Sequence, residues 1–283
     1  MSHEETSHRR QAVSTIHDIV NAMRAIAAGR IQGAQHALEN ARCYQEIIRR
    51  AIAALPADEL PAVTMPSPNT TLVVMTSEQP LCGGYNQNVL AFSEQRFHEL
   101  QALGPVTVIA VGQRGLRQMA AHGLRPDVVE PAATSLSGLR DTVKRLARLV
   151  TDRFMAGSLG TLRVLFNRYV SVTEQVPSEE TLFPIRLDDL RHVEPPPRGR
   201  FHRYLPTDQL LVRLIGEYLF IDLYRIAAEA FASEQASRLV AMDGATRNTE
   251  RLLQSLTDLQ QRERQDEITR EILELISARV ILE

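Results

Sequence analysis

The sequence predicts an α/β fold in which two long helices from the chain ends pair as an antiparallel coiled coil and flank an inserted open α/β domain. Three observations carry this: a proline-free helical pattern near the N-terminus, a longer one near the C-terminus, and between them a zone where short apolar runs alternate with helical periodicity.

From Arg9 to Leu55 there is no proline, and Val13, Ile16, Val20, Met23, Ile26, Leu38, Ile48 and Ile52 follow one another mostly at spacings of three and four. That spacing predicts one amphipathic helix over 9–55, the N-terminal arm of the coil. Its middle, "AMRAIAAGRIQGAQ", is rich in Ala and Gly. Small residues favour close approach of a partner's backbone, at some cost in helix propensity at Gly29 and Gly33. The prolines of "LPADELPAVTMPSPN" end the helix.

In the middle zone "TLVVMT", "VTVIAVG" and "LRVLFNRYVSV" read as short buried strands. The stretches 86–103, 114–122 and 139–155 read as helices. Strand and helix taking turns predicts an open, Rossmann-like sheet over 70–200, closed by the proline run of "LRHVEPPPRGR".

From Thr207 to Arg279 an apolar stripe runs without proline through Leu211, Leu214, Tyr218, Leu223, Ile226, Ala230, Leu239, Met242, Leu252, Leu256, Leu259, Ile268, Ile272 and Ile276. At 1.5 Å per residue such a helix, over 207–279, is on the order of 100 Å long, and a periodic pattern of that length points to a coiled coil. Its stripe needs a partner, and the N-terminal helix is the comparable one in the chain. The C-terminal helix is the longer of the two, so one of its ends extends beyond the coil.

Composition narrows the function. The 283 residues carry 32 Lys+Arg against 34 Asp+Glu, a formal net charge of -2, which advertises neither nucleic acid nor an anionic membrane as partner. Cys43 and Cys82 form no CxxC pair, so neither a metal site nor a disulfide framework is encoded, and a reducing compartment is expected. No window approaches the ~20 apolar residues of a membrane span, and a soluble, cytosol-facing chain is expected.

Candidate chemistry centres on "TSEQPLCGGYNQNVL", where glycines follow an apolar run and precede a helix. It lacks the lysine of GxxxxGK[ST] and the spacing of GxGxxG, so the glycines read as a tight strand-to-helix corner. Cys82 reads as a small packed residue in preference to a thiolate nucleophile, since the histidines stand singly and no nucleophile elbow is present. His17 and His36 read as exposed or packed helix residues, and "RQDEITREILE" as a solvated helix face. Neither catalytic residues, nor a bound metal, nor a cofactor is expected.

The segment "VMTSEQPLCGGYNQNVL" resembles the gamma subunit of F-type ATP synthases, in which a strand runs into Ser-Asp-x-Gly-Leu-Cys-Gly-Gly-x-Asn. "IVNAMRAIAAGRIQGAQ" is similar to that family's N-terminal coil. "ASEQASRLVAMDGATRNTERLL" and "RERQDEITREILEL" are similar to its C-terminal signature, in the same order and at matching separations. The resemblance implies a non-catalytic central rotor stalk of a proton- or sodium-translocating complex. Its expected partners are the alternating catalytic and non-catalytic ATP synthase subunits, an epsilon-type stalk subunit and the membrane rotor ring, peripheral to the cytoplasmic face of a bacterial inner membrane.

By the same resemblance Met23 matches a methionine near the bearing surface. Arg264, Gln265 and Thr269 match residues that engage loops of a catalytic subunit, and Tyr204 and Pro206 fall in the foot loop at the rotor ring. Leu205 replaces a commonly acidic residue there, for which Asp208 is the nearby substitute. Asp243 stands where lysine is usual and Arg270 where glutamine is usual, which by the resemblance implies a divergent or an alternative, sodium-translocating, bacterial branch. Composition and periodicity alone also accommodate a non-rotary coiled-coil scaffold or a cofactor-binding α/β enzyme.

Overall fold

The computed structural model describes residues 3–55, 68–185 and 204–281. Of the proline-rich stretches expected to break the chain, most of 55–69 and all of 190–200 lie outside the described residues. The chain divides into two compact units, residues 1–26 with 239–283 and residues 27–238.

The elements in chain order are α1 (His3–Ala53), β1 (Thr70–Met75), α2 (Tyr85–Gln101), β2 (Val106–Val111) and α3 (Gln113–Met119), which runs on as a 3₁₀ turn at Ala120–His122. There follow β3 (Val128–Glu130), α4 (Leu136–Met155), β4 (Thr161–Tyr169), β5 (Gln175–Phe183) and α5 (Thr207–Ile281). Helix α1 has 51 residues and α5 has 75.

In the 27–238 unit the strands form one sheet ordered β3-β2-β1-β4-β5. β1 pairs in parallel with β2 and β4, and β2 with β3. β5 closes the edge antiparallel to β4. Strand period two sorts the side chains of β1 between two cores. Val73 and Met75 face a cluster with Leu139, Val143 and Leu146 of α4 and with Leu223, Ile226 and Phe231 of α5. Leu72 and Val74 face Val89, Leu90 and Met119 of α2 and α3. Part of the long helix thus serves as a layer on one face of the sheet. A third cluster joins α1 and α5 through Ala41, Ile48, Ile52, Leu211 and Ile221.

Two close approaches fix this packing. Gly112 has φ +101°, and a Cβ there would lie 2.4 Å from the carbonyl oxygen of Thr76, so glycine lets the ends of β1 and β2 meet. Gly33 of α1 faces Leu136 of α4, whose Cδ1 would lie 2.3 Å from an added Cβ. The close approach of a partner's backbone expected along the small-residue stretch is thus not made at either glycine: Gly33 meets the Leu136 side chain and Gly29 faces open space.

In the other unit α1 and α5 run antiparallel, as the pairs Thr6–Glu263 and Arg24–Asp243 require. Val13, Met242 and Leu256 are buried there. The apolar stripe predicted a buried Ile16 and Ile26, but these are 52% and 53% exposed, as are Ile268 at 47% and Ile272 at 51%. For Ile16 and Ile26 the reason is that one partner helix covers only part of a stripe more than 100° wide, whereas Ile268 and Ile272 lie beyond the level at which Thr6, near the start of α1, meets Glu263. The remainder forms an outer apolar surface.

Candidate functional site

Three places carry the residues singled out by the sequence. The first is the loop between β1 and α2. Leu81 and Gly83 both take positive φ, 64° and 55°, which turns the chain sharply from β1 into α2. Asn86 closes the turn by accepting from the Ser77 backbone N–H at 2.9 Å and donating to Ser77 Oγ at 2.8 Å.

The same loop is fastened to α5. Ser237 Oγ donates to the Cys82 carbonyl at 2.8 Å and the Tyr85 hydroxyl to the Ala230 carbonyl at 3.2 Å. Arg238 Nη2 reaches the Pro80 carbonyl at 3.3 Å and the Glu234 carboxylate at 2.7 Å. Cys82 is buried, and burial pushes its thiol up from the ordinary range, against the opposing pull of the Ser77 hydrogen bond and Arg238. An activated thiolate requires the opposite shift. The geometry makes the loop a corner bonded to the long helix, as the glycine pattern predicted.

The second place is a polar cluster where α5 meets β4, β5 and α1 within the same unit. Arg225 donates to Asp222 on its own helix at 2.8 Å and to Glu180 of β5. Glu229 lies 3.5 Å from Arg42 of α1, 3.4 Å from Arg225 and 3.9 Å from Arg168 of β4. Gln45 donates to Asp222 at 2.9 Å. Burial pushes the Asp222 carboxyl up and the Arg225 guanidinium opposes it. Sequence reasoning missed this cluster, because Asp222, Arg225 and Glu229 at spacings of three and four read as an ordinary solvated helix face.

The third place is the pair of coil stations in the 1–26/239–283 unit. Met23 is half-buried on α1, while Arg264, Gln265 and Thr269 are exposed on α5. Thr269 Oγ1 donates to the Gln265 carbonyl at 2.8 Å, a bond within its own helix. Met23 adjoins Arg24, which pairs with Asp243, whereas Arg264 adjoins Glu263, which pairs with Thr6. At 1.5 Å per residue the two stations are separated by about 30 Å along the coil, so they form separate contacts and not one site. Asp243, which departs from the usual lysine, is held by Arg24 at 3.3 Å and by Arg247 at 2.5 Å.

Of the foot residues in the 27–238 unit, Tyr204 is 93% exposed, and Pro206 and Asp208 are exposed. The Pro206 carbonyl accepts from Leu210 N at 3.0 Å, which opens α5. Asp208 lies in the first turn, where a carboxylate complements the helix dipole.

A family model described as ATP synthase matches residues 2–280. The ATP synthase gamma chain of Fuscovulum blasticum is 32% identical over 286 residues, covering 97% of each chain. Those of Paracoccus denitrificans and Moorella thermoacetica are each 30% identical, covering 97% and 98% of both chains respectively. A chain of the Euglena gracilis mitochondrial ATP synthase, solved as OSCP/F1/c-ring in rotational state 3, superposes with a TM-score of 0.64 at 15% identity over 99% of this chain and 94% of that one. The central stalk/c-ring structure from Tetrahymena thermophila gives 0.58 at 19% identity, covering 80% and 99%. The structural likeness, at such identities, speaks for the fold, and the sequence matches extend along nearly the whole chain: it belongs to the ATP synthase gamma chain family.

Proposed function

We propose that this chain is the central rotor stalk of a rotary ATP synthase, a non-catalytic subunit that transmits torque between an ion-driven membrane ring and the catalytic hexamer. Family membership sets aside the non-rotary scaffold and the cofactor-binding enzyme. The single observation in the molecule that best supports the reading is the outer apolar surface of the coil. Ile16, Ile19 and Ile26 on α1 and Leu252, Leu259, Ile268 and Ile272 on α5 are each more than a third exposed. A surface of this kind suits a sleeve of surrounding subunits.

A rod that is not symmetric about its axis contacts each subunit of the sleeve differently, so its rotation biases each site in turn. A differential of about 5.5 kcal/mol moves a two-state site from 1:99 to 99:1. Linkage makes the coupling reversible, so hydrolysis drives the same rotation backwards. The contacts are Met23 at one coil station and Arg264, Gln265 and Thr269 at the other. Tyr204, Pro206 and Asp208 face the rotor ring. The partners are alternating catalytic and non-catalytic subunits, an epsilon-type stalk subunit and the ring, at the cytoplasmic face of a bacterial inner membrane. The coupling ion, proton or sodium, is chosen by ring residues outside this chain.

Affinity purification from the native host tests the reading. Recovery of the chain with ATP synthase catalytic and membrane subunits is expected, and recovery without them overturns it.

A further inference from the structure

Between α1 and α5 in the 1–26/239–283 unit, four polar side chains form a hydrogen-bonded relay across the two helices. Thr249 Oγ1 lies within hydrogen-bond distance of two carbonyls of its own helix, Ala245 at 3.1 Å and Thr246 at 2.9 Å. Across the coil Thr249 Oγ1 lies 3.0 Å from His17 Nδ1, within hydrogen-bond distance. His17 Nε2 lies 2.8 Å from Asn21 Nδ2, one turn further along α1. Asn21 Oδ1 in turn accepts from Thr246 Oγ1 at 3.3 Å. The four side chains thus make one continuous polar contact between the helices.

We propose that His17, Asn21, Thr246 and Thr249 are positioning residues that pin the register of the coil, and so set which α5 residues stand opposite Met23. An apolar seam specifies register weakly, because one aliphatic side chain fits roughly where another did, whereas a directional polar contact fits in one place. A slip of one helical turn sets His17 against Ala245 or Leu253, whose side chains offer no hydrogen-bonding group. The relay spans two rungs, residues four apart on α1 and three apart on α5, so it resists rotation of either helix as well as sliding. Arg24–Asp243 and Thr6–Glu263 lie in the same register but are single contacts, and the first is exposed. The consequence for torque rests on the stalk reading, while the register itself does not.

The test uses the full chain with Cys43→Ser and Cys82→Ser and two reporter pairs. Arg24→Cys with Asp243→Cys reports the observed register, and Arg24→Cys with Arg247→Cys reports a one-turn slip. With the relay intact, mild oxidation should cross-link the first pair at least tenfold faster than the second. Replacing the relay by apolar residues, His17→Leu, Asn21→Leu, Thr246→Val and Thr249→Val, should bring the two rates within threefold while helix content by circular dichroism is kept. Thr249→Val alone should shift the ratio part of the way, and Thr249→Ser, which keeps the hydroxyl, should leave it unchanged. An unaltered tenfold preference in the apolar and Thr249→Val variants overturns the proposal. The rates are read on the purified chain, so a failure to recover it with ATP synthase subunits bears on the stalk reading alone.

Discussion

The Cys82 carbonyl accepts a hydrogen bond from Ser237 Oγ at 2.8 Å, so it is the backbone of this residue, and not its thiol, that ties the β1–α2 loop to the long helix. The thiol itself points to Ser77 Oγ at 3.4 Å, a weak contact that serine or alanine can forgo.

Replacement of Cys82 by Ser or Ala is therefore expected to preserve coupled ATP synthesis in the assembled enzyme. Burial both shields the thiol and pushes it away from its reactive form. In the native chain iodoacetamide should modify exposed Cys43 and spare Cys82, with both modified after denaturation. Peptide mass spectrometry of the two states decides it, and rapid native labelling of Cys82 would defeat the packing assignment.

Glycine substitutions should divide by environment. Gly112→Ala meets the Thr76 carbonyl at 2.4 Å in a left-handed backbone conformation and should cost at least about 2 kcal/mol. Gly29→Ala meets nothing within 4 Å in a helix interior and should add about 0.5–1 kcal/mol. Denaturant midpoints of the two variants, compared with the parent, report both signs.

The Arg225 cluster gives a sharper contrast. Arg225→Met leaves the Asp222 and Glu180 carboxylates without their main cation, and breaking a buried ion pair in this way costs about 3–5 kcal/mol. Adding Asp222→Leu and Glu180→Leu removes two of the stranded charges, while Glu229 keeps Arg42 and Arg168, and should recover most of the loss. Equal destabilisation in the single and triple variants would show that the cluster holds the fold by shape and not by charge balance.

How much of this was legible beforehand depended on where the controlling partner lay. β1, β2 and β4 announced themselves because they lie inside the sheet and are apolar on both faces, whereas β5, "QVPSEETLF", borders it. A polar edge strand bearing Pro177 has no apolar run to show. β3 has three residues, too few for any period. Burial of Asp222, Glu229, Glu234 and Arg238 was invisible for a different reason. Their positions along α5 repeat like those of a solvated face, and the sheet that covers them is folded from residues far away in sequence. The His17 relay was hidden similarly, since its two halves are 232 residues apart.

Acid stability should turn on Glu179. Burial alone would raise its carboxyl, but the hydrogen bonds and charges of Arg96 and Arg163 outweigh that and hold it below the usual carboxylate range. A depressed folded value means that the unfolded chain binds the proton more readily, so the contribution is present above the unfolded range, about pH 4.3, and lost as pH falls through the folded value. Glu179→Gln should therefore lower the thermal midpoint most at neutral pH and progressively less below about pH 4. A constant difference across pH 3–7 would contradict the sign.

The coil stations can be tested without disturbing the coil, because Arg264, Gln265 and Thr269 are all exposed on α5. Surface substitutions of that kind change stability by no more than about 0.5 kcal/mol, so Arg264→Ala with Gln265→Ala should leave the thermal midpoint of the isolated chain essentially unchanged. In the assembled enzyme the same change removes a charged and an amide donor that meet partner loops only at certain rotor angles, and hydrogen bonds to charged groups contribute about 1.5–3 kcal/mol each. Turnover should fall by at least tenfold while assembly survives. Met23→Lys acts differently: it adds a cation at the half-buried station beside Arg24 and Asp243, where a new ion pair with a partner carboxylate would favour one rotational state. Its expected signature is a lower ratio of ion pumping to hydrolysis, with hydrolysis itself less affected. Measuring pumping and hydrolysis side by side separates the two stations, since one variant should lose rate and the other coupling. Unchanged rate and ratio in both would remove these residues from the contact set and leave the stalk architecture in place.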